Sequence, residues 1–417
     1  MTSDDVRPGP QRIVDPTTAF VWIWLPGSTA AVVCGRLDDD QGVISFTYAR
    51  SYRSRADATS LYEPELPVKE GPQFSASGAR LPLCIDDSMP DAWGRRLVNH
   101  RLGEPNSELS ELTYLLESDQ DRIGALEFHR SPDGYPDRAA DHPSLEDLAA
   151  AADHIDQGLP IDEHLNAALM HGTSIGGARP KALLDGTDRT LIAKFSSSAD
   201  TYPVVQGEFV AMRLASLAGI NVARVDLTKP NGRYALLVER FDRDRTGHRH
   251  HVVSALTILG LTAFPEGRYA TYVDLADLVR AQFVTSDATL HELFARISFN
   301  ILCGNTDDHG RNHAAFVRPA GLELTPAYDI CPQARSGNTA QQAMAFAADG
   351  VRESRIGLLV NAAATYRLHR SAARDVIDRQ RTTIEDNWDD VCDEAELTTV
   401  QRDAFMNRQF LNPRAFE

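Results

Sequence analysis

The chain has 417 residues, with 42 lysines and arginines against 59 aspartates and glutamates, which gives a formal net charge of −17. A surface this negative repels phosphate backbones, so the chain is not expected to bind nucleic acid by itself. With 42% hydrophobic and 24% charged residues, the composition excludes a disordered chain and a membrane protein. The length predicts about two to three domains.

The first third of the chain is predicted to be rich in strands. Runs of valine, isoleucine, phenylalanine and tryptophan between turn signals predict strands over residues 20–25, 30–37 and 42–48. Apolar residues that recur on one helical face, together with capping residues, predict helices over residues 91–102, 112–116 and 144–155. Prolines, a glycine and charged side chains at 130–142 indicate a loop and an internal boundary.

The middle of the chain opens with a loop of small residues at 171–181. The elements predicted after it are strands at 182–184 and 191–195, a helix at 205–217 ended by Gly219, and a strand at 234–238. Helical patterning dominates beyond this point. The elements predicted there are helices at 275–283 and 291–302 and a hairpin with strands at 314–317 and 322–325.

The strongest local signal is the polar cluster at residues 305–312, which directly follows an apolar helix. A polar cluster attached to a buried helix is held rigidly, as an active site requires. The predicted hairpin returns the chain to its start, so Asp329 is expected beside Asn312. Asparagine and aspartate oxygens that converge in this way suit a hard cation, and we expect this cation to be Mg²⁺ carrying phosphate.

This arrangement fits phosphoryl transfer, with a separate task for each side chain. Asp307 would accept the proton of an attacking hydroxyl, while Asn312 and Asp329 would hold Mg²⁺ on the phosphates. The neighbouring acid, Asp308, remains an alternative base, although Asp307 is favoured.

Further upstream, Lys194 alternates with apolar neighbours on a strand and would reach the α- and β-phosphates. Glu208, on the following helix, could pair with it, and the strand near Glu239 falls where a hinge between two lobes would meet adenine. These parts occur in the chain order of the protein-kinase template.

Four ordered motifs carry a resemblance to a known family. Residues 174–181, 239–243, 306–312 and 327–330 resemble those of the HipA toxins, which are serine/threonine kinases of bacterial toxin–antitoxin systems. The resemblance covers most of the chain. It implies an α+β, two-lobed protein-kinase-like fold, with a small β-rich subdomain added at the N-terminus and a mainly helical C-terminal lobe.

The implied domains are a HipA-type N-terminal subdomain at 1–135, a kinase N-lobe at 136–245 and a helical C-lobe at 246–417. The resemblance also implies that Ser174, at the start of the glycine loop, is the autophosphorylation site. It implies ATP contacts from Gly176, Gly177, Ala178, Arg179, Lys181, Lys194, Glu239, Arg240, Phe241, His309, Arg311, Asn312, Tyr328 and Asp329. The implied catalytic residues are Asp307, His309 and Asn312, and the implied metal ligands are Asn312 and Asp329.

The same resemblance implies the targets and partners of the protein. Substrates in the family are translation proteins, notably aminoacyl-tRNA synthetases such as the glutamyl enzyme. The usual partner is a HipB-like helix-turn-helix antitoxin, through which the kinase reaches DNA indirectly; no membrane is involved. Two alternatives remain open: a non-catalytic nucleotide-binding corepressor, and a kinase-fold enzyme that acts on a small-molecule or lipid hydroxyl.

Some features depart from the general kinase pattern or argue against other sites. The GxGxxG motif is absent, and Asp307-Asp308-His309 replaces the usual His-Arg-Asp order. The histidines at 248, 250 and 251 lie in an arginine-rich stretch, which favours a solvated loop over a metal site. Five scattered cysteines without a CxxC pair, and a start that lacks signal-peptide order, predict reduced thiols in the cytoplasm.

Overall fold

The computed structural model describes residues 15–104, 106–118, 121–135, 144–156, 181–185, 189–197, 200–263, 266–335, 337 and 339–417. Most of the glycine-rich loop lies outside the described residues. The predictions for Ser174, Gly176, Gly177, Ala178 and Arg179 therefore concern positions outside these ranges.

The N-terminal part is built on an antiparallel sheet. Its strands are β1 (Thr18–Trp24), β2 (Ala31–Asp40), β3 (Val43–Tyr48) and β4 (Leu126–His129), in the order β3-β2-β1-β4. Its helices are α1 (Arg50–Arg53), α2 (Leu83–Asp86), α3 (Ala92–Arg101) and α4 (Glu111–Glu117). The three predicted strands and the helices α3 and α4 are confirmed, whereas the short β4 was not predicted.

A second antiparallel sheet follows along the chain. Its strands are β5 (Lys181–Asp185), β6 (Thr190–Phe195), β7 (Val225–Thr228) and β8 (Ala235–Glu239), in the order β5-β6-β8-β7. The helices of this part are α5 (Leu145–Asp156) and α6 (Val204–Leu217). Ser144 caps α5, because its Oγ accepts the backbone N–H of Asp147 at 3.1 Å. Leu148 of α5 packs against Phe195 of the sheet.

The rest of the chain is mainly helical and carries a small antiparallel sheet. Its strands are β9 (Val252–Ser254), β10 (Ala314–Arg318) and β11 (Gly321–Leu324), in the order β11-β10-β9. The helices are α7 (Ala255–Leu259), α8 (Tyr272–Gln282), α9 (Ser286–Cys303), α10 (Ile356–Asn361), α11 (Arg370–Glu394) and α12 (Thr399–Phe405). The predicted hairpin is confirmed; β9, with three residues, is too short to show a periodicity.

Short 3₁₀ turns connect several of these elements, at Pro230–Gly232, Glu266–Tyr269, Gly310–Asn312, Ala348–Gly350, Ala363–Tyr366 and Pro413–Phe416. Among the residues with coordinates described above, no helix is both long and apolar enough to cross a bilayer. All five cysteines are free thiols, as predicted, and four of them are buried. Burial raises the pKa of the Cys303 thiol to about 12, which keeps it unreactive.

Candidate active site

The loop that carries the predicted catalytic residues begins where α9 ends. Gly304 ends the helix in the left-handed conformation, with φ at 74°. A Cβ at this position would lie 2.7 Å from the Gln409 carbonyl oxygen, so a side chain would collide with backbone. The backbone of Gln409 therefore limits the direction in which the loop can leave the buried helix, and only glycine fits at this turn.

The two consecutive acids of this loop lie in opposite environments. Asp307 is exposed, and its carboxylate makes no hydrogen bond or ion pair with another residue of the described ranges. Asp308 is only 4% exposed, and its carboxylate accepts hydrogen bonds from the Tyr272 hydroxyl and from Asn300 Nδ2 at 2.5 Å. Of the two acids that the sequence left open as the base, only Asp307 faces solvent.

Lys194 connects three separate elements through two short ion pairs. From β6, its Nζ lies 2.6 Å from Glu208 Oε1 on α6 and 2.6 Å from Asp329 Oδ1, in the segment after β11. Burial opposes the charged ammonium, but the two carboxylates outweigh it and raise the pKa of Lys194 above its ordinary value. In return, the Lys194 ammonium lowers the pKa of Asp329 to about 2, so this carboxylate is ionised at neutral pH.

Asn312 and Asp329, the predicted metal ligands, offer oxygen atoms of the kind that Mg²⁺ prefers. Asp329 is in the left-handed region, with φ at 60°, and its side chain is 41% exposed. The Asn312 amide nitrogen donates to the Asp307 carbonyl at 3.1 Å, which leaves Oδ1 as the acceptor of that side chain. One carboxylate and one amide oxygen fit a cation that keeps several waters and binds phosphate.

An aromatic cluster adjoins the predicted hinge. The Phe241 ring centroid lies 5.7 Å from that of Tyr328 and 5.9 Å from that of Phe316. The Tyr328 hydroxyl donates to the Arg311 carbonyl at 2.6 Å, which places the two predicted motifs side by side. Burial raises the pKa of Tyr328, so it remains a neutral donor.

The other two residues of the predicted adenine contact turn their side chains elsewhere. The Glu239 carboxylate lies 3.4 Å from the Arg189 guanidinium. Arg240 is 4% exposed and donates to Asp242 at 2.7 Å and to the Arg122 carbonyl at 2.7 Å. Both side chains are therefore engaged in other contacts, and the backbone N–H groups of Glu239 and Arg240 donate to the carbonyls of Arg224 at 2.8 Å and Thr190 at 3.0 Å.

Arg240 belongs to a buried ion network that joins the hinge to the N-terminal sheet. Arg249 donates to Glu127 at 2.7 Å and stacks over Trp24 at 3.6 Å, while Arg243 pairs with Asp121. The expectation of a solvated loop here is wrong for Arg243 and Arg249, whose side chains are each 11% exposed. Their partners lie more than 100 residues earlier, beyond the reach of local patterns.

The histidines of this stretch have separate partners. His248 Nδ1 lies 2.8 Å from Asp244, and His251 Nε2 lies 2.6 Å from the Leu61 carbonyl. In the parts of the chain that the structure describes, no group of three or more histidine, cysteine, aspartate or glutamate side chains could hold a metal.

The N-terminal part also contacts the start of β5 and the loop that carries the predicted catalytic residues, which the sequence did not indicate. Arg311 donates to Asp86 Oδ2 at 2.8 Å, and Lys181 Nζ lies 3.5 Å from Asp91 Oδ2. Burial lowers the pKa of Lys181. Asp86 and Asp91 lie at the two ends of a short segment with three aspartates, but nothing local in that segment indicates its distant partners.

The antiparallel sheet around Lys194, its contact with Glu208 and Asp329, and the helical part that follows define a two-lobed, protein-kinase-like fold. The model of the HipA N-terminal domain matches residues 23–129, and the model of the HipA-like C-terminal domain matches residues 173–388, more than half of the chain. The chain belongs to the HipA family.

Individual relatives agree with this assignment. The chain is 34% identical over 187 residues to the serine/threonine-protein kinase toxin HipA of Shewanella oneidensis, across 38% of this chain and 42% of that protein. It is 32% identical over 176 residues to Y4mE of Sinorhizobium fredii, whose name describes a proposed kinase, across 38% and 41% of the two chains. The matches thus span less than half of either curated relative.

A solved structure confirms the fold over a longer range. HipA in the Shewanella oneidensis complex of HipA, HipB and operator DNA superposes with a TM-score of 0.66 and 20% identity. The match covers 92% of this chain and 97% of that chain. The expected two-lobed kinase-like architecture with an N-terminal addition is therefore confirmed.

Proposed function

We propose that this chain is a serine/threonine protein kinase that uses ATP and Mg²⁺ and acts as the toxin of a toxin–antitoxin pair. The observation that carries the proposal is the contact of Lys194 with Glu208 and Asp329, each at 2.6 Å. In protein kinases the lysine–glutamate pair and the metal-binding aspartate must both be in place for phosphoryl transfer.

The exposed and buried acids suggest how the reaction is divided. Asp307, which faces solvent, would accept the proton of the attacking serine or threonine hydroxyl, whereas Asp308 is enclosed by donors. Lys194 would bind the α- and β-phosphates, and Asn312 and Asp329 would hold Mg²⁺. The metal would supply charge neutralisation on the phosphates when bound. The exposed His309 and Arg311, two residues further on, are further candidates for phosphate contact.

The nucleotide base would lie against the hinge. Phe241 offers an aromatic face, and its backbone N–H makes no hydrogen bond with a residue in the described ranges, so it is available to adenine. Gly176, Gly177, Ala178 and Arg179 would cover the phosphates, and Ser174 would be the autophosphorylation site. These last assignments rest on the family resemblance.

The proposed partner is a HipB-like helix-turn-helix antitoxin, through which the complex would reach operator DNA. The net charge of −17 supports an indirect route to DNA, because the surface disfavours phosphate. The solved relative was crystallised with HipB and operator DNA. We further propose that the substrate is a translation protein of the aminoacyl-tRNA synthetase class and that the kinase acts in the cytoplasm.

Incubation of the purified chain with radiolabelled ATP and Mg²⁺ tests the proposal. The wild type is expected to label itself, and Asp307→Asn is expected to lower the rate by about 10²–10⁴-fold, as for loss of a general base. Asp403→Asn makes the same change at an exposed acid on α12 and should keep the wild-type rate. Equal labelling by the wild type and Asp307→Asn would contradict the catalytic assignment. An unlabelled wild type that still tightens antitoxin binding to DNA would favour the corepressor alternative.

A further inference from the structure

A continuous series of hydrogen bonds runs from the backbone of Asp307 to the side chain of Asp308. The Asp307 N–H donates to Asn305 Oδ1 at 3.3 Å, and Asn305 Nδ2 donates to Asn300 Oδ1 at 3.0 Å. Asn300 Nδ2 then donates to Asp308 Oδ2 at 2.5 Å. These hydrogen bonds attach the loop to Asn300 of α9 on both sides of the peptide bond between Asp307 and Asp308.

Two more side chains complete this network from other elements. Tyr272, the first residue of α8, donates its hydroxyl to Asp308, and His313 Nε2 lies 3.0 Å from Asp308 Oδ1 and 2.9 Å from the Tyr272 oxygen. The members of the network are at most 4% exposed: Tyr272, Asn300, Asn305, Asp308 and His313. Nδ1 of His313 has no hydrogen-bond partner within the described ranges, but the Asp308 oxygens accept from several donors. A buried network of this kind restricts its members to one arrangement.

Tyr272 also connects this network to the chain beyond Asp329. Its backbone N–H donates to the Ala345 carbonyl at 2.8 Å, and Thr271 forms a parallel bridge with Ala345. The catalytic loop and the segment downstream of Asp329 are thus attached to the same end of α8.

We propose that Tyr272, Asn300, Asn305, Asp308 and His313 are positioning residues that hold Asp307 in place for proton transfer. This inference rests on the proposed kinase function. The Asp308 carboxylate is anchored by three donors, and because it is adjacent to Asp307 in the chain, it restricts the backbone that carries the catalytic acid. Displacement of a reacting group by about 1 Å can lower a rate by about 10²-fold.

Tyr272→Phe removes only the hydroxyl, and Asp308→Asn removes only the charge. Each variant is expected to lower kcat by about 10- to 100-fold while the KM for ATP stays within about twofold, because both side chains are buried and cannot reach a bound nucleotide. The matched control is Tyr48→Phe in the N-terminal domain. The hydroxyl of this buried residue also has two partners, the Leu66 carbonyl at 2.6 Å and the Leu61 N–H at 2.9 Å.

Amide hydrogen exchange of the peptide at 305–309 provides a readout that does not depend on activity. Exchange is expected to be faster in Tyr272→Phe than in the wild type and unchanged in Tyr48→Phe. The inference is overturned if Tyr272→Phe loses no more kcat than the control, or if its loop exchanges at the wild-type rate. If the wild type itself does not transfer phosphate, the proposed function fails, and the exchange comparison still decides whether the network holds the loop.

Discussion

Asp242→Asn is predicted to destabilise the protein by acting on the buried network between the hinge and the N-terminal domain. The Asp242 carboxylate accepts from Arg240 at 2.7 and 3.0 Å and from the Gly124 N–H at 2.8 Å, and the residue is fully buried. Burial opposes ionisation, but the adjacent arginines, Arg240 and Arg243, outweigh it and lower the pKa of Asp242. The substitution therefore removes a real negative charge from the interior.

The expected loss of stability follows from the charges that remain buried after Asp242→Asn. Loss of one partner from a buried ion pair leaves an uncompensated charge and typically costs about 3–5 kcal/mol. In the wild type, the ionisable side chains of the network are Asp121, Arg122, Glu127, Arg240, Asp242, Arg243 and Arg249. Arginines already outnumber acids in this network, so no neighbouring acid can neutralise the positive charge that the substitution leaves unpaired. For a chain of this length, the loss of stability corresponds to about 5 °C in Tm.

Thermal unfolding followed by circular dichroism measures this loss, with Asp244→Asn as the matched control. Asp244 lies two residues further on but is exposed, and its contacts to Thr246 and His248 lie at the surface. Its substitution should leave Tm nearly unchanged. In addition, the KM for ATP should rise in Asp242→Asn only, because Arg240 precedes the proposed adenine contact, Phe241. A Tm for Asp242→Asn equal to that of the control would refute the reasoning.

The remaining predictions concern pH and backbone conformation. Burial raises the pKa of Glu127 from 4.5 to about 7, so its contribution to stability is complete below pH 4.5 and is lost as the pH rises through 7. In the wild type, Glu127 should therefore lower the free energy of unfolding in urea by about 3 kcal/mol between pH 4 and 8, and Glu127→Gln should lack this decrease. Parallel pH profiles of the two proteins would contradict this. Gly304→Ala should cost about 2–4 kcal/mol because its Cβ meets the Gln409 backbone at 2.7 Å. Gly219 has a similar φ, but a Cβ there would have no neighbouring atom within 4 Å, so Gly219→Ala should cost only about 1 kcal/mol in the same unfolding assay. Equal losses of stability in the two variants would exclude the collision.

Much of the fold was predictable because local patterns determine its elements. The alternation that carries Lys194 predicted β6, and the apolar stripe around Glu208 predicted α6; the structure has both. The expected Lys194–Glu208 pair forms at 2.6 Å. Short elements such as β4, β7 and β9 were missed, because three or four residues carry too little periodicity to identify a strand.

The environment of each candidate side chain was less predictable. Two adjacent aspartates look equivalent in a sequence, yet Asp308 is enclosed by Tyr272, Asn300 and His313 while Asp307 is exposed. Likewise, Arg240 follows a predicted strand, but its side chain is directed to partners near residue 121.

The sequence by itself determined the order of the elements and the chemical types at the site: a lysine on a strand, a glutamate on a helix, and acids and an asparagine around a hairpin. These depend on short-range periodicity and turn chemistry, which neighbouring residues encode. Only the tertiary structure decided which acid faces solvent, where Arg240 points, and that Asp86 contacts Arg311. The contacts of Arg240 and Arg311 join residues more than 100 positions apart, for which no local pattern exists. The burial of Asp308 depends on how Tyr272, Asn300 and His313 pack around it, which adjacent residues do not encode.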